Sequence, residues 1–139
     1  MKNLGKFEHD YDVVTKKDLE CVITLPFGSG VTSDPIVSLN FEADPTGETL
    51  LIRLFGSFIN RDDRGFAEYY VYLESNSKVN EILKTGSETF EKWCRLGEVK
   101  VEGNEVKIHI SKSSTSPLIA TFKNLNPNGA KIISSKKIN

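Results

Sequence analysis

The sequence predicts a mainly β fold, a β-rich α+β domain in which about six or seven antiparallel strands form a meander or a β-sandwich. Two observations carry this prediction. Several segments alternate apolar and polar residues with the period of a strand, and only residues 77–96 change to helical spacing. The 139 residues can bury an ordinary hydrophobic core, and no linker divides them. We therefore expect one domain spanning residues 1–139.

The N-terminal part is predicted to hold an arm and one strand. Residues 1–19 are charged and weakly periodic, so we expect a loosely ordered arm there. Residues 20–27 alternate, with Cys21 and Ile23 among the residues of one face, which is typical of a strand. Glycine, serine and proline make residues 28–35 a predicted loop.

A meander is predicted for the next two strands. Residues 36–43 alternate cleanly, with Val37, Leu39 and Phe41 on the apolar face. If Ala43 lies opposite Leu50, these residues meet the apolar face of the segment that follows. The two segments then form neighbouring antiparallel strands with one buried face.

Residues 49–75 are predicted to form one long β-hairpin, with residues 60–65 as its connection. Setting Ile59 opposite Phe66 makes every pair on one face apolar, or a glycine beside an aromatic residue. A slip by one residue would move all of these side chains to the other face. The predicted core face then holds Val37, Leu39, Phe41, Ile52, Leu54, Phe58, Tyr69, Val71 and Leu73.

Residues 77–96 are predicted to be helical and to pack on the sheet through Val79, Ile82, Leu83, Phe90 and Trp93. Residues 85–88 resemble a capping box, at which the helix would break into two pieces. Gly97 is well placed to end it.

A second hairpin is predicted for residues 98–111, across Gly103 and Asn104. In that tight register Lys100 opposes Lys107 and two glutamates also face each other, which is unfavourable, so a longer loop stays open.

A final strand is predicted within residues 117–125, where apolar and polar residues alternate again. Residues 126–139 form a polar, basic tail that we expect to fray.

The non-core face of the long hairpin is the first candidate binding site. In the predicted register Phe55 lies opposite Tyr70, and Arg53 lies opposite Tyr72. Aromatic residues beside an arginine are typical of a protein-binding hot spot or a sugar-stacking platform. The alternative is that a second sheet or the helix covers this face.

The hairpin connection is the second candidate. It contains residues of both signs, which either bind a charged partner or pair with one another: Asn60, Arg61, Asp62, Asp63 and Arg64. No further oxygen donors are spaced as a calcium loop requires, so no metal site is predicted.

The distribution of charged and apolar residues argues against some classes of partner. Residues 20–75 carry nine acidic and three basic side chains, whereas residues 76–139 carry six acidic and eleven basic ones. The aromatic strands therefore lie in the acidic part, which argues against a nucleic-acid phosphate backbone as partner. The sequence shows no apolar run of membrane-spanning length and no secretory signal, so we expect a cytoplasmic protein.

Groups with catalytic chemistry are few. Cys21 and Cys94 fit no metal-binding spacing and are expected to be buried thiols, although a disulfide between them is left open. His9 and His109 have no partners that form a recognisable site. No nucleophile elbow or phosphate-binding loop is present, so no catalytic residue and no cofactor is predicted.

These observations favour a non-enzymatic module that binds another protein, of the inhibitor, immunity or phage and viral accessory type. The alternative is a carbohydrate-binding β-sandwich that uses Phe55, Tyr70 and Tyr72 for stacking and Arg53 and Asn40 as hydrogen-bonding groups. A small enzyme is third. No membrane partner is expected, and a homo-oligomer stays open.

Overall fold

The computed structural model describes residues 21–25, 35–56, 64–111 and 118–138. Within these ranges the chain forms nine strands and one short helix: β1 (Cys21–Leu25), β2 (Ile36–Phe41), β3 (Thr49–Gly56), β4 (Gly65–Tyr72), β5 (Lys78–Gly86), α1 (Glu88–Trp93), β6 (Arg95–Glu102), β7 (Glu105–Ser111), β8 (Leu118–Asn124) and β9 (Ile132–Lys137). The predicted β-rich fold class is confirmed. The predicted arm at residues 1–19 lies outside the described residues.

The strands form two antiparallel sheets that pack face to face as a sandwich. The five-stranded sheet has the order β1-β8-β3-β4-β5, and the four-stranded sheet has the order β6-β7-β2-β9. Alternate side chains of both sheets point inward and build one core. Its most fully buried large members are Tyr69, Phe41, Phe90, Phe122, Leu39, Leu50, Ile52, Leu54, Leu73, Ile108 and Ile110.

The predicted pairing of the strands on either side of residues 42–48 is wrong. β2 pairs with β7 and β9, while β3 pairs with β4 and β8, so the connection carries the chain from one sheet to the other. The apolar residues of β2 are still buried with those of β3, because both strands contribute to the core between the sheets. Alternation identifies a strand's buried face but not whether its neighbour lies beside it or across the sandwich. Ala43 lies beyond β2 and is exposed.

The β3–β4 hairpin exists, but its register differs from the predicted one by four residues. Leu54 lies opposite Ala67 rather than Val71, and Ile52 lies opposite Tyr69. An even shift leaves every side chain on its predicted face. The predicted core residues of both strands are therefore buried, although their partners differ. Phe58 lies outside the described residues.

The predicted helix is wrong for its first half. Residues 78–86 form strand β5, whose pairing with β4 is interrupted by a bulge between Glu68 and Tyr69. Ile82 and Leu83, expected in the core, are 49% and 46% exposed. A bulge adds one residue to a strand and breaks its alternation, so apolar residues acquire a spacing that resembles a helix.

The second half of the prediction is confirmed by α1. Ser87 is its N-cap and its side chain accepts a hydrogen bond from the Phe90 N–H at 3.2 Å. The helix ends at Trp93, and Gly97, expected to end it, lies within β6. Phe90 is 2% exposed, and a Cβ atom built on Gly65 would overlap its ring. Glycine at the start of β4 is therefore what lets α1 close over the core.

The β6–β7 hairpin adopts the tight register, with Gly103 at a φ of 65° in its turn. Lys100 does lie opposite Lys107, and two glutamates do face each other. Diagonal contacts relieve this arrangement. The Lys107 Nζ atom is 3.6 Å from the Glu102 carboxylate, and the Ser38 hydroxyl donates to Glu105. Ser38, expected to face outward in solvent, is fully buried.

The last predicted strand is confirmed as β8, and the segment expected to fray contains β9. Ile132 packs against the core, and β9 pairs with β2 along its length. The Glu48 carboxylate accepts hydrogen bonds from the Ala130 N–H and the Asn124 side-chain amide. These bonds stabilise the turn between β8 and β9. The Cys21 thiol donates to the Ser135 hydroxyl at 2.8 Å, joining β1 to β9.

Candidate functional site

The candidate site is the side of the five-stranded sheet that faces away from the core. Strand registers place a continuous set of side chains there, which we call the outer face: Val22, Leu51, Arg53, Phe55, Phe66, Glu68, Tyr70, Tyr72, Leu83 and Ile119. The same rows also contain polar side chains: Thr49, Lys78, Asn80, Thr85, Thr121 and Lys123. Leu51 is only 8% exposed, whereas five members of the outer face count among the exposed large hydrophobic residues of the described chain.

The tyrosines of the outer face are exposed on β4. Tyr70 is 41% and Tyr72 is 44% exposed, and they stand two residues apart, so both rings project from the same side of the sheet. Ile119 on β8 and Val22 on β1 extend the apolar surface toward the other edge, at 39% and 60% exposure. These two residues are separated from the tyrosines, because the row of Val22 crosses β3 and β4 at Arg53 and Glu68. Exposed apolar side chains on one side of a sheet are candidates for an interaction surface.

The centre of the outer face is an ion pair. The Arg53 Nε atom donates to the Glu68 carboxylate at 2.8 Å, directly across β3 and β4. Phe55 lies opposite Phe66, and the two ring centroids are 5.0 Å apart. The predicted cross-strand pairs of Phe55 with Tyr70 and of Arg53 with Tyr72 are therefore wrong. The four-residue register shift brings Glu68 and Phe66 into those positions.

A shallow groove of about 520 Å³ opens where the outer face meets the start of α1. The Phe55–Phe66 pair forms one part of its lining, and Thr85 and Ser87 form another. Arg64 also lines it and is exposed, and its carbonyl oxygen accepts a hydrogen bond from the Ser87 N–H at 2.8 Å. This groove is a largely apolar recess, and the exposed Arg64 is one of its lining residues.

The charges around the outer face are unequal. Lys78 on β5 lies opposite Tyr72, and Lys123 on β8 lies opposite Leu51. The Arg53–Glu68 ion pair has no net charge, so Arg64, Lys78 and Lys123 give the described part of this face a net positive charge. The part of the surface that contains the aromatic residues is therefore bordered by positive charge, although residues 20–75 as a whole are acidic.

Other groups with chemical potential lie apart from the outer face. Cys21 and Cys94 do not form a disulfide: Cys94 is buried, and the half-buried Cys21 thiol donates a hydrogen bond to the Ser135 hydroxyl. Burial raises the pKa of the Tyr69 hydroxyl, so it stays protonated at neutral pH. Among the described residues no three His, Cys, Asp or Glu side chains lie together as metal ligands, and no helix could span a bilayer.

The predicted site residues divide into three groups. Tyr70 and Tyr72 are exposed on the outer face, where Arg53 and Phe55 are half-buried. Arg64 lies at the groove. The remaining ones, Asn60, Arg61, Asp62 and Asp63, lie outside the described residues.

Sequence reasoning missed several members of the outer face. Ile119 and Val22 alternate with core residues, and they could have been assigned to the same face only once β8 was known to lie beside β3 and β1. The predicted hairpin paired Arg53 with Tyr72, so the partnership of Glu68 with Arg53 required the correct register. The mixed sign of these two residues on paired strands was the available signal.

Comparison with known proteins adds little. No protein-family model and no curated protein matches the chain. The tailspike protein gp49 from Acinetobacter baumannii bacteriophage Fri1, a capsular polysaccharide depolymerase, matches 86% of the chain at 11% identity with a TM-score of 0.43. The Acinetobacter phage vB_ApiP_P1 tailspike protein matches 88% of it at 8% identity with a TM-score of 0.33. The chain spans 19% and 21% of these proteins, and similarity at this level does not bear on its function.

Proposed function

We propose that this domain is a binding module whose outer face docks another protein. The observation that supports this proposal is the exposure of the neighbouring Tyr70 and Tyr72 on a sheet whose opposite side builds the core. Burying such a surface is favourable by about 25 cal/mol for each Å² of apolar area, whereas leaving it in water has no structural benefit.

The chemistry of the outer face specifies the partner. An apolar segment would pack on the tyrosines, and a side chain of that segment would enter the groove beside Phe66. Arg64 at the groove, with Lys78 and Lys123 at the border, would attract carboxylates. We therefore expect a partner surface with an apolar centre and acidic residues at its rim.

Aromatic and arginine residues are the usual carriers of binding free energy at such surfaces. Arg53 is already paired with Glu68, so its guanidinium is held in position before binding. A preorganised group loses less conformational freedom on association than a mobile one. The centre of the outer face is thus suited to act as a fixed polar contact inside an apolar interface.

Selection from a displayed library of random peptides tests this proposal and does not require the natural partner to be identified first. Enriched peptides should combine aromatic or aliphatic residues with Asp or Glu. Tyr70→Ala/Tyr72→Ala and Arg64→Glu should each weaken their binding at least about tenfold, in line with truncation of hot-spot residues. Ile133→Ala is the matched control, because Ile133 is 66% exposed on the four-stranded sheet.

Two results would contradict the proposal. One is a library that yields no binders to the folded wild-type domain. The other is a set of peptides that binds the Arg64→Glu and double-tyrosine variants as tightly as the wild type. Far-ultraviolet circular dichroism and thermal melts of every variant separate lost binding from lost folding.

Carbohydrate binding is the second candidate function. It is favoured by the two exposed tyrosines and by Asn80, which lies opposite Tyr70 as a hydrogen-bonding neighbour. Sugar rings stack on exposed aromatic faces, and amide groups bond their hydroxyls. A glycan array probed with the wild type and with Tyr70→Ala/Tyr72→Ala distinguishes the two functions: a saccharide bound only by the wild type would support the second.

A further inference from the structure

The free edge of β5 is a separate feature of this molecule. β5 pairs with β4 on one side and, among the described strands, ends the five-stranded sheet on the other. It is nine residues long, and most of its side chains are exposed. Such an edge presents unpaired backbone N–H and C=O groups, which are a template for a further strand.

Ile82 and Leu83 are the centre of this edge. They are adjacent, lie at the bulge and are 49% and 46% exposed. Native edge strands are normally protected by charged side chains and short length. β5 also carries Lys78, Lys84 and a bulge, which limit the partners that can pair with it. Its two neighbouring aliphatic residues would be covered by an added strand whose charges match those of β5.

The bulge determines which residues of β5 share a face. Asn80 and Thr85 both lie opposite outward-facing residues of β4, whereas Glu81 and Lys84 both lie opposite core-facing residues. In a regular strand, residues three or five positions apart point to opposite faces. The additional residue at the bulge puts each of these pairs on one face.

We propose that β5 pairs antiparallel with β5 of a second copy of this chain, across a two-fold axis between Ile82 and Leu83. In this register Glu81 lies opposite Lys84 of the second copy, and Asn80 lies opposite its Thr85. Each contact occurs twice by symmetry. Both partners of each pair lie on the same face, as an antiparallel ladder requires.

Charge selects this register over its neighbour. An axis through Glu81 would place Glu81 opposite itself, which is a contact between like charges. It would also set Lys84 opposite Lys78, two residues that point to opposite faces of the sheet and so cannot form a ladder pair. The proposed register replaces these contacts with two Glu–Lys pairs around an apolar centre. The dimer would have one continuous ten-stranded sheet, in which two outer faces lie side by side. This inference does not depend on the proposed function of those faces.

Sedimentation equilibrium of charge-reversed variants tests the pairing. The wild type should approach twice the 15.5 kDa chain mass as its concentration rises. Glu81→Lys and Lys84→Glu should each raise the dissociation constant at least about tenfold, because each brings like charges together twice. Combining both substitutions restores opposite charges and should restore the dimer. Glu91→Lys, an equal charge change on an exposed helical residue, is the control.

Three outcomes would overturn the proposal: a wild type that stays monomeric up to its solubility limit, a charge-reversed single variant that dimerises like the wild type, or a double variant that does not regain the dimer. If a variant fails to fold, hydrogen exchange of the wild type decides instead. Amide protection in β5 should rise with protein concentration, and protection that does not change with concentration rejects the pairing.

Discussion

The two sheets have similar inner faces and dissimilar outer ones. On the four-stranded sheet, register places Lys100, Lys107, Ser38 and Lys136 in one row across the strands. The next row contains Glu102, Glu105, Asn40 and Ser134. On the five-stranded sheet, the equivalent side holds exposed tyrosines and aliphatic residues between the Arg53–Glu68 ion pair and polar residues such as Thr121, Lys123 and Asn80. One outer face is therefore chemically suited to water and the other is not.

This difference is the basis for proposing that binding takes place on the five-stranded side of the sandwich. An antiparallel sheet can leave one face in solvent when that face is polar. The four-stranded sheet does so with alternating rows of opposite charge, tied diagonally by the Lys107–Glu102 ion pair. The exposed tyrosines and aliphatic residues of the outer face have no such role in solubility, which is why we assign binding to that side.

The largest expected effect on stability separates residues on the inner side of the five-stranded sheet from residues on its outer side. Leu54→Ala should lower the free energy of unfolding by about 2–5 kcal/mol, since it opens a cavity at a fully buried position. Ile119→Ala, on the outer face, should cost less than about 1 kcal/mol. Urea denaturation of both variants checks this. Equal losses would mean that Ile119 is covered in the free domain and that the outer face is not available for binding.

A smaller effect is expected on the four-stranded sheet. Ser38→Ala removes the buried hydroxyl that donates to Glu105, where Glu105 faces Glu102. We expect a loss of about 1–3 kcal/mol, because hydrogen bonds to charged groups exceed neutral ones in strength. Asn40→Ala, which removes only an exposed 3.3 Å contact to Ser134, is the control and should change stability by less than about 0.5 kcal/mol.

Thermal or urea denaturation measures the stability of both variants. Equal losses of unfolding free energy in Ser38→Ala and Asn40→Ala would contradict this prediction. In that case the charged rows would not depend on the Ser38 contact, and the polar character of this face would need another explanation. A double variant that also carries Glu105→Gln isolates the interaction, since removing the carboxylate should make the Ser38 substitution less costly.

The sequence correctly predicted which face of most strands is buried, but outside the two hairpins it did not predict which strands pair with each other. Apolar alternation placed residues such as Leu39, Ile52 and Val71 on buried faces, because burial depends only on which side of its own strand a residue occupies. Pairing depends on positions far apart in sequence. β2 and β3 show this, since both their apolar faces enter the core although the strands lie in different sheets.

Two local errors have definite physical causes. The bulge in β5 gave Ile82 and Leu83 a helical spacing, so an edge strand resembled a buried helix. In the β6–β7 hairpin, the like charges of Lys100 and Lys107 argued against a register that the chain adopts. Each lysine has a carboxylate nearby, Glu102 at 3.6 Å from Lys107 and Glu98 at 3.8 Å from Lys100, and a rule that considers only directly opposed residues leaves these contacts out.

The candidate site was only partly predictable for the same reason. The exposed Tyr70 and Tyr72 could be assigned to a non-core face by alternation alone. The aliphatic part of the outer face comes from β1 and β8, which are adjacent to β3 through pairings that no short-range pattern indicates.

The smallest expected effect concerns the connection that carries the chain between the two sheets. There the Thr46 hydroxyl and N–H donate to the Asp44 carboxylate, and the hydroxyl contact is the main cause that lowers the pKa of Asp44. A lowered folded-state pKa stabilises the protein above the ordinary carboxyl range, and this contribution is lost as the pH falls through the folded-state pKa.

Asp44→Ala should therefore reduce stability slightly at neutral pH, and its difference from the wild type should vanish on acidification below the folded-state pKa of Asp44. Thr46→Val keeps the N–H donor and removes the hydroxyl, so it should raise the pKa of Asp44 toward its usual value without restoring it fully. Carbon-detected NMR titration of the Asp44 carboxylate measures this shift. An unchanged pKa in Thr46→Val would show that the hydroxyl does not hold the turn, and that the crossing between the sheets is fixed by burial of Phe41 and Leu50 on either side of it.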